Sequence, residues 1–214
     1  MKYHRLFFLV FFVFLLSACQ SSVITDLAAG PGGLLYHDDF SDPTSGWTRT
    51  SSPNGTLAYD NGSYRMTVAS PYYDLWAVSG QAYRDVKVEV DAARLAGPDV
   101  NRFGVICRYR DPQNYYFFIL TSDGYYTIGK ISGYVRTLLG QNMMAYSAAI
   151  VPGNGPNHLR LDCIGQTLTG YVNDQAIVAA SDADFPSGDA GLIVGAFDQP
   201  GVDVAFDNFA VYKP

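Results

Sequence analysis

The chain has 214 residues, with 20 acidic against 14 basic side chains and a formal net charge of −6. That balance excludes the basic face that nucleic acid requires; spread along the chain, the acidity reads as solubility. The length suits one domain with a full-sized core.

Met1-Lys2-Tyr3-His4-Arg5 is short and basic, and Leu6 to Leu16 follows without a polar residue. This is the pattern of a signal peptide over residues 1–18, and the apolar run is well short of the roughly 20 residues a spanning helix needs. Leu16-Ser17-Ala18-Cys19 resembles the bacterial lipobox. The resemblance implies cleavage before Cys19 and acylation of that residue; each buried methylene contributes about 0.8 kcal/mol, so several chains anchor stably in a membrane. Gln20, rather than Asp, disfavours retention at the inner membrane. Residues 19–33 are then the lipidated Cys19 and a small, polar, Gly/Pro-containing tether, and the expected location is extracytoplasmic, lipid-anchored to the cell envelope.

Residues 34–214 form the expected domain. Apolar residues recur there at a period of two rather than 3.6. Strands are predicted near 34–40, 56–60, 63–69, 73–79, 85–94, 101–110, 114–121, 125–131, 134–139, 157–165, 167–173, 175–180, 189–196 and 202–212. Asp60-Asn61-Gly62, Asp123-Gly124, Ser132-Gly133 and Asn173-Asp174 are hairpin-type turns that need positive φ. Residues 141–156 read as a loop with one helical turn near Met143–Ser147. Many short strands with regular turns predict an all-β, two-sheet antiparallel sandwich or jelly roll.

Alternation assigns faces. Val86, Val88 and Val90 point one way and Lys87, Glu89 and Asp91 the other; His158, Arg160 and Asp162 form a second polar set. Arg108 and Arg110 are expected opposite Cys107 and Tyr109. With Cys19 lipidated, Cys107 and Cys163 remain, each on the apolar side of its strand. In an oxidising compartment they pair as a disulfide, closing a loop worth roughly 4 kcal/mol in the chain-entropy account; the alternative is two free buried thiols.

Asp38-Asp39-Phe40, Gly46-Trp47, Gly62-Ser63-Tyr64-Arg65-Met66, Gly104 to Tyr109, Asn114 to Phe117, His158-Leu159-Arg160-Leu161, Tyr171-Val172-Asn173, Gly191-Leu192-Ile193 and Phe206-Asp207-Asn208-Phe209 occur in an order that resembles the concanavalin A-like lectin/glucanase superfamily. Within it, the chain is most similar to bacterial domains related to the 3-keto-disaccharide hydrolase and laminin G-like groups. The resemblance implies a jelly roll; it does not by itself imply an activity.

Glucanases of that superfamily carry Glu-x-Asp-x-x-Glu on a strand. Here the match is Glu89-Val90-Asp91-Ala92-Ala93-Arg94, with Arg at the third acidic position, and Glu89 is the sole Glu of the chain. Glu89 and Asp91 are therefore weak catalytic candidates, and a solvated strand face is the plainer reading. No Gly-x-Ser-x-Gly elbow and no zinc spacing is present.

Trp76, Arg108, Arg160 and the pairs Tyr115-Tyr116 and Tyr125-Tyr126 are candidate ligand contacts. Aromatic rings complement the flat C–H faces of sugars, and arginine forks donate to hydroxyl or carboxylate groups. Within each Tyr-Tyr pair one ring should point inward. A non-catalytic carbohydrate-binding, monomeric lipoprotein is the expectation; the alternatives are a glycoside hydrolase-type enzyme and an adhesion protein with a protein partner. No cofactor is required, but relatives hold a structural calcium ion, and the resemblance implies Asp39, the Gly62 carbonyl and Asp207 as its ligands. Asp207 could equally cap a turn or pair with an arginine.

Overall fold

The computed structural model describes residues 30–214, so the leader, Cys19 and nearly all of the tether lie outside the described residues. Sixteen strands occur among the described residues, and no helix. They form two antiparallel sheets.

The larger sheet runs β14 (Gln175–Ser181), β13 (Thr167–Val172), β12 (Asn157–Ile164), β6 (Val86–Ala96), β16 (Val202–Tyr212), β4 (Ser63–Val68), β3 (Gly55–Asp60) and β2 (Thr50–Ser52), with β1 (Leu34–Asp38) also paired to β16. The smaller runs β10 (Val135–Leu138), β9 (Tyr125–Ser132), β8 (Asn114–Leu120), β7 (Asn101–Asp111), β15 (Gly188–Ala196) and β5 (Asp74–Tyr83), with β11 (Ala145–Tyr146) also paired to β9. The fold class is the one that the period-2 pattern and the turn residues predict.

The turns form as their residues dictate. Asn61 and Gly62 have φ of 51° and 78°, and Asn173 and Asp174 have 49° and 64°; these residue types tolerate the left-handed region that a two-residue hairpin needs. Two short strands were not foreseen. β2 is three exposed residues at an edge, and β11 replaces the helical turn expected near Met143–Ser147: Ala145 and Tyr146 pair with Tyr126 and Tyr125 of β9.

The core lies between the sheets. From the larger sheet come Val86, Val88, Val90, Leu159, Leu161 and Phe206; from the smaller, Phe103, Val105, Phe118, Ile128, Leu192 and Val194, all buried. Cys107 of β7 and Cys163 of β12 are joined as a disulfide that ties one sheet to the other. At one end Phe40, Trp47, Tyr64 and Phe209 pack ring on ring, with centroids 5.2 Å apart for Phe40–Trp47 and 4.9 Å for Trp47–Phe209. Residues scattered over the sequence thus share one aromatic nest.

Arg108 departs from the expected alternation. A bulge interrupts the β7–β8 register between Cys107 and Asp111, Arg108 has φ of 50°, and a bulge shifts the side-chain parity of its strand. Cys107 and Arg108 therefore both point inward, at 0% and 2% exposure. The guanidinium donates to the carbonyls of Arg84, Phe185 and Cys163 and to Asp85 Oδ1, at 2.9–3.2 Å.

Candidate sugar-binding face

The outer side of the smaller sheet carries a second apolar layer. Ile106, Tyr115, Phe117, Ile119, Ile131 and Ile193 are buried there, beneath Trp76, Tyr109, Leu138 and Met144. A solvated sheet face would alternate apolar-in and polar-out; this one is apolar on both sides.

The ion pairs fix its shape. Asp74 on β5 pairs with Arg136 on β10, and these strands are the two ends of the hydrogen-bonded path, with four strands between them. On a flat sheet they would stand roughly 24 Å apart, at about 4.8 Å per strand, farther than an arginine and an aspartate can jointly reach. The sheet is therefore curled with its outer face concave. Trp76 crosses the same hollow: its indole N–H donates to the Tyr109 hydroxyl at 3.1 Å, and its ring lies 6.4 Å from that of Tyr115 on β8.

Gly195 makes the crossing possible. A Cβ there would lie 1.8 Å from Asp74 Oδ1 and 2.8 Å from Arg102 Nε. Only without it can Asp74 lean over β15 to bring Oδ1 within 2.9 Å of Arg102 Nη2. Asp74 is thus shared by two guanidiniums, Arg102 behind and Arg136 in front. Burial lowers the Arg102 pKa, opposed by the Asp74 charge beside it. Burial, and then the Asp74 charge, pushes the Tyr115 hydroxyl up to about 12, so it stays a neutral donor.

Two depressions share Tyr73 and Trp76 as their common wall, one at the β5 edge beside β2 and β3 of the larger sheet and one on this face. One, of about 400 Å³, is lined by Thr48, Thr50, Ser52, Leu57, Val78 and Tyr109 among others. The second, of about 290 Å³, has Tyr115 and Ile131 on its floor, with Tyr72, Tyr134 and Arg136 around it. These sizes sit at the lower end of small-ligand sites. Tyr72 and Tyr134 are 75% and 73% exposed, and both occupy the left-handed region, with φ of 53° and 68°. A bulky residue held there stores strain of order 1–3 kcal/mol, which characteristically collects at ligand clamps. The pair presents two bare rings beside an aromatic floor.

Of the residues singled out from sequence, the structure brings Trp76 and Tyr115 together on this face. Arg108 is sealed between the sheets, where no ligand reaches it. Tyr116 also points inward; its hydroxyl donates to Asp182 at 2.6 Å and accepts from the Phe185 amide. Tyr126 is half-buried, donating to the Ile177 carbonyl. Tyr125 is exposed but packs edge-on against Tyr146, outside both depressions. Arg160 is on the outer face of the larger sheet, forked onto Asp162 and stacked 3.9 Å over Tyr171. Glu89 and Asp91 lie on that same remote face, around His158, whose Nδ1 is 2.8 Å from Asp91 Oδ1.

Sequence reasoning missed Asp74, Arg136 and Tyr134 altogether. The available signals were the run Tyr72-Tyr73-Asp74-Leu75-Trp76 and a tyrosine at a hairpin turn.

The expected calcium ligands do not fit that ion. Asp39 is spent on a local turn, accepting from the Ser41 amide and hydroxyl, which hold its carboxyl below the usual range. Asp207 accepts the Asn208 amide at 2.7 Å. Gly62 is an exposed turn residue. Among the described residues no group of three or more His, Cys, Asp or Glu is placed to hold a metal, whereas calcium takes 6–8 oxygens.

Comparison with solved structures identifies the fold. The carbohydrate-binding module CBM66 from Bacillus subtilis superposes with a TM-score of 0.63 at 20% identity, covering 79% of this chain and 96% of that one. A Bacillus subtilis protein of unknown function with a galectin-like fold gives 0.63 at 12% identity, over 86% and 97%. The catalytic domain of an endo-1,3-β-glucanase from Thermotoga petrophila gives 0.58 at 11%, over 85% and 98%. The architecture is thus a two-sheet jelly-roll β-sandwich, the fold class that the sequence pattern predicts. Scans against protein-family models and curated proteins find no match.

Proposed function

We propose that the protein binds carbohydrate, without cleaving it, on the concave face of the smaller sheet. The observation that carries this is the pair of depressions meeting at Tyr73 and Trp76, floored by Tyr115 and flanked by two exposed, strained tyrosines. Flat apolar rings with polar edges suit sugar rings. The neighbours support the reading, since one is a carbohydrate-binding module and another a glucanase domain. Glycoside cleavage by the usual route needs two carboxyl groups about 5–9.5 Å apart. Asp74 is the one carboxylate lining these depressions, and two guanidiniums hold it.

The same proposal places the domain outside the cytoplasm, anchored through Cys19. The Cys107–Cys163 disulfide supports an oxidising compartment.

A glycan array and calorimetry on residues 30–214 test the binding. At least one polysaccharide class should bind, and Tyr73→Ala/Trp76→Ala should weaken it at least about tenfold while keeping the parent's β-sheet circular dichroism and a cooperative melt. An array with no hits, or a variant that binds as well as the parent, defeats the proposal.

A further inference from the structure

The two depressions differ in charge. The one bounded by Thr48, Thr50 and Ser52 has no charged side chain in its lining. The other contains two, Asp74 and Arg136. Asp74 is already neutralised from behind by Arg102, whose side chain is only 12% exposed. Two guanidiniums therefore share one carboxylate, and one positive charge is left over.

That surplus faces the opening. Arg136 is 30% exposed, and its guanidinium carbon lies over the Phe117 ring, 5.0 Å from the centroid. Its bond within the fold runs from Nη2 to Asp74, and an arginine carries five donors in a rigid fork. The remaining donors have no hydrogen-bond partner among the described residues, and Arg136 lines the depression beside Tyr115 and Tyr134. The chain as a whole is acidic, at −6, so a surplus cation in a ring-lined hollow runs against the general surface charge.

We infer that this second depression takes the carboxylate-bearing residue of an acidic glycan, with Arg136 donating to the carboxylate and the aromatic rings holding the sugar, while the uncharged depression across Trp76 takes a neutral neighbouring unit. The inference rests on the sugar-binding reading and adds the ligand's charge class. A fork-shaped cation matches a planar carboxylate better than a hydroxyl.

The test compares oligogalacturonides and oligomannuronides with their carboxyl-reduced, neutral counterparts of the same linkage, by calorimetry on the described domain. The expected result is at least about tenfold tighter binding of one acidic series, as one charge-assisted hydrogen bond provides, with the preference shrinking as salt is added. Arg136→Gln should abolish the preference, the acidic series falling to the affinity that the same variant shows for the neutral series. Arg136→Lys, which keeps the charge but not the fork, should retain part of it. Equal binding of acidic and reduced series by the parent, or an undiminished preference in Arg136→Gln, overturns the inference and leaves the sugar-binding reading standing. Failure to bind any neutral or acidic glycan removes both.

Discussion

Arg108 shows how one backbone angle reassigns a residue. Alternation along residues 103–110 put its side chain in water, as a ligand contact. The left-handed φ of 50° at the bulge turns it into the core instead, where three carbonyls and Asp85 accept its hydrogen bonds. The desolvation of a buried guanidinium is offset only because those donors are satisfied. Arg108→Met should therefore destabilise the domain by about 3–5 kcal/mol, read as a lower urea midpoint at unchanged slope. A loss below about 1 kcal/mol would contradict that role. Nothing in the residues around position 108 announces the bulge, since neither glycine nor proline marks it. The Tyr115-Tyr116 pair was half legible: Tyr116 points to the core as alternation allows, but Tyr115 is buried too, because Trp76 from three strands away covers it.

At the scale of elements, turn chemistry was readable wherever the residue types match the backbone. Asn61-Gly62 and Asn173-Asp174 are such cases. At Gly133-Tyr134 the sequence foretold the glycine but not its partner, a tyrosine held at φ of 68°. Left-handed backbone costs a side-chain-bearing residue about 1–2 kcal/mol, and Tyr134 recovers little of it by packing, being 73% exposed; it is held by one hydrogen bond, from the Gln113 amide at 2.8 Å. Tyr134→Gly should leave stability unchanged or raise it by up to about 1 kcal/mol, the relief of strain being partly cancelled by chain entropy. The same variant should lose glycan affinity. Thermal melts and calorimetry on one preparation check both, and a destabilised variant with intact binding would show that the tyrosine serves the fold. The short strands β2 and β11 were illegible because three exposed residues, or two, carry no periodic signal.

For the whole molecule, the layered architecture and the link between Cys107 and Cys163 were open to sequence reasoning, because the parity of both cysteines set them facing inward. The curvature was not. It depends on Asp74 and Arg136, residues 62 positions apart, meeting over a hollow that exists only once the intervening strands have curled and Gly195 has left room. The candidate site is built of such long-range meetings, so composition could suggest aromatic binding without saying which rings share a surface. The account's central claim is that sugar lies against Trp76. The protein holds two tryptophans; Trp47 is 3% exposed in the core, so a soluble quencher such as acrylamide reaches Trp76 first. Titrating a bound glycan while quenching the tryptophan emission tests the claim without any substitution. The quenchable fraction should fall in step with saturation measured by calorimetry; full occupancy with undiminished quenching would contradict it.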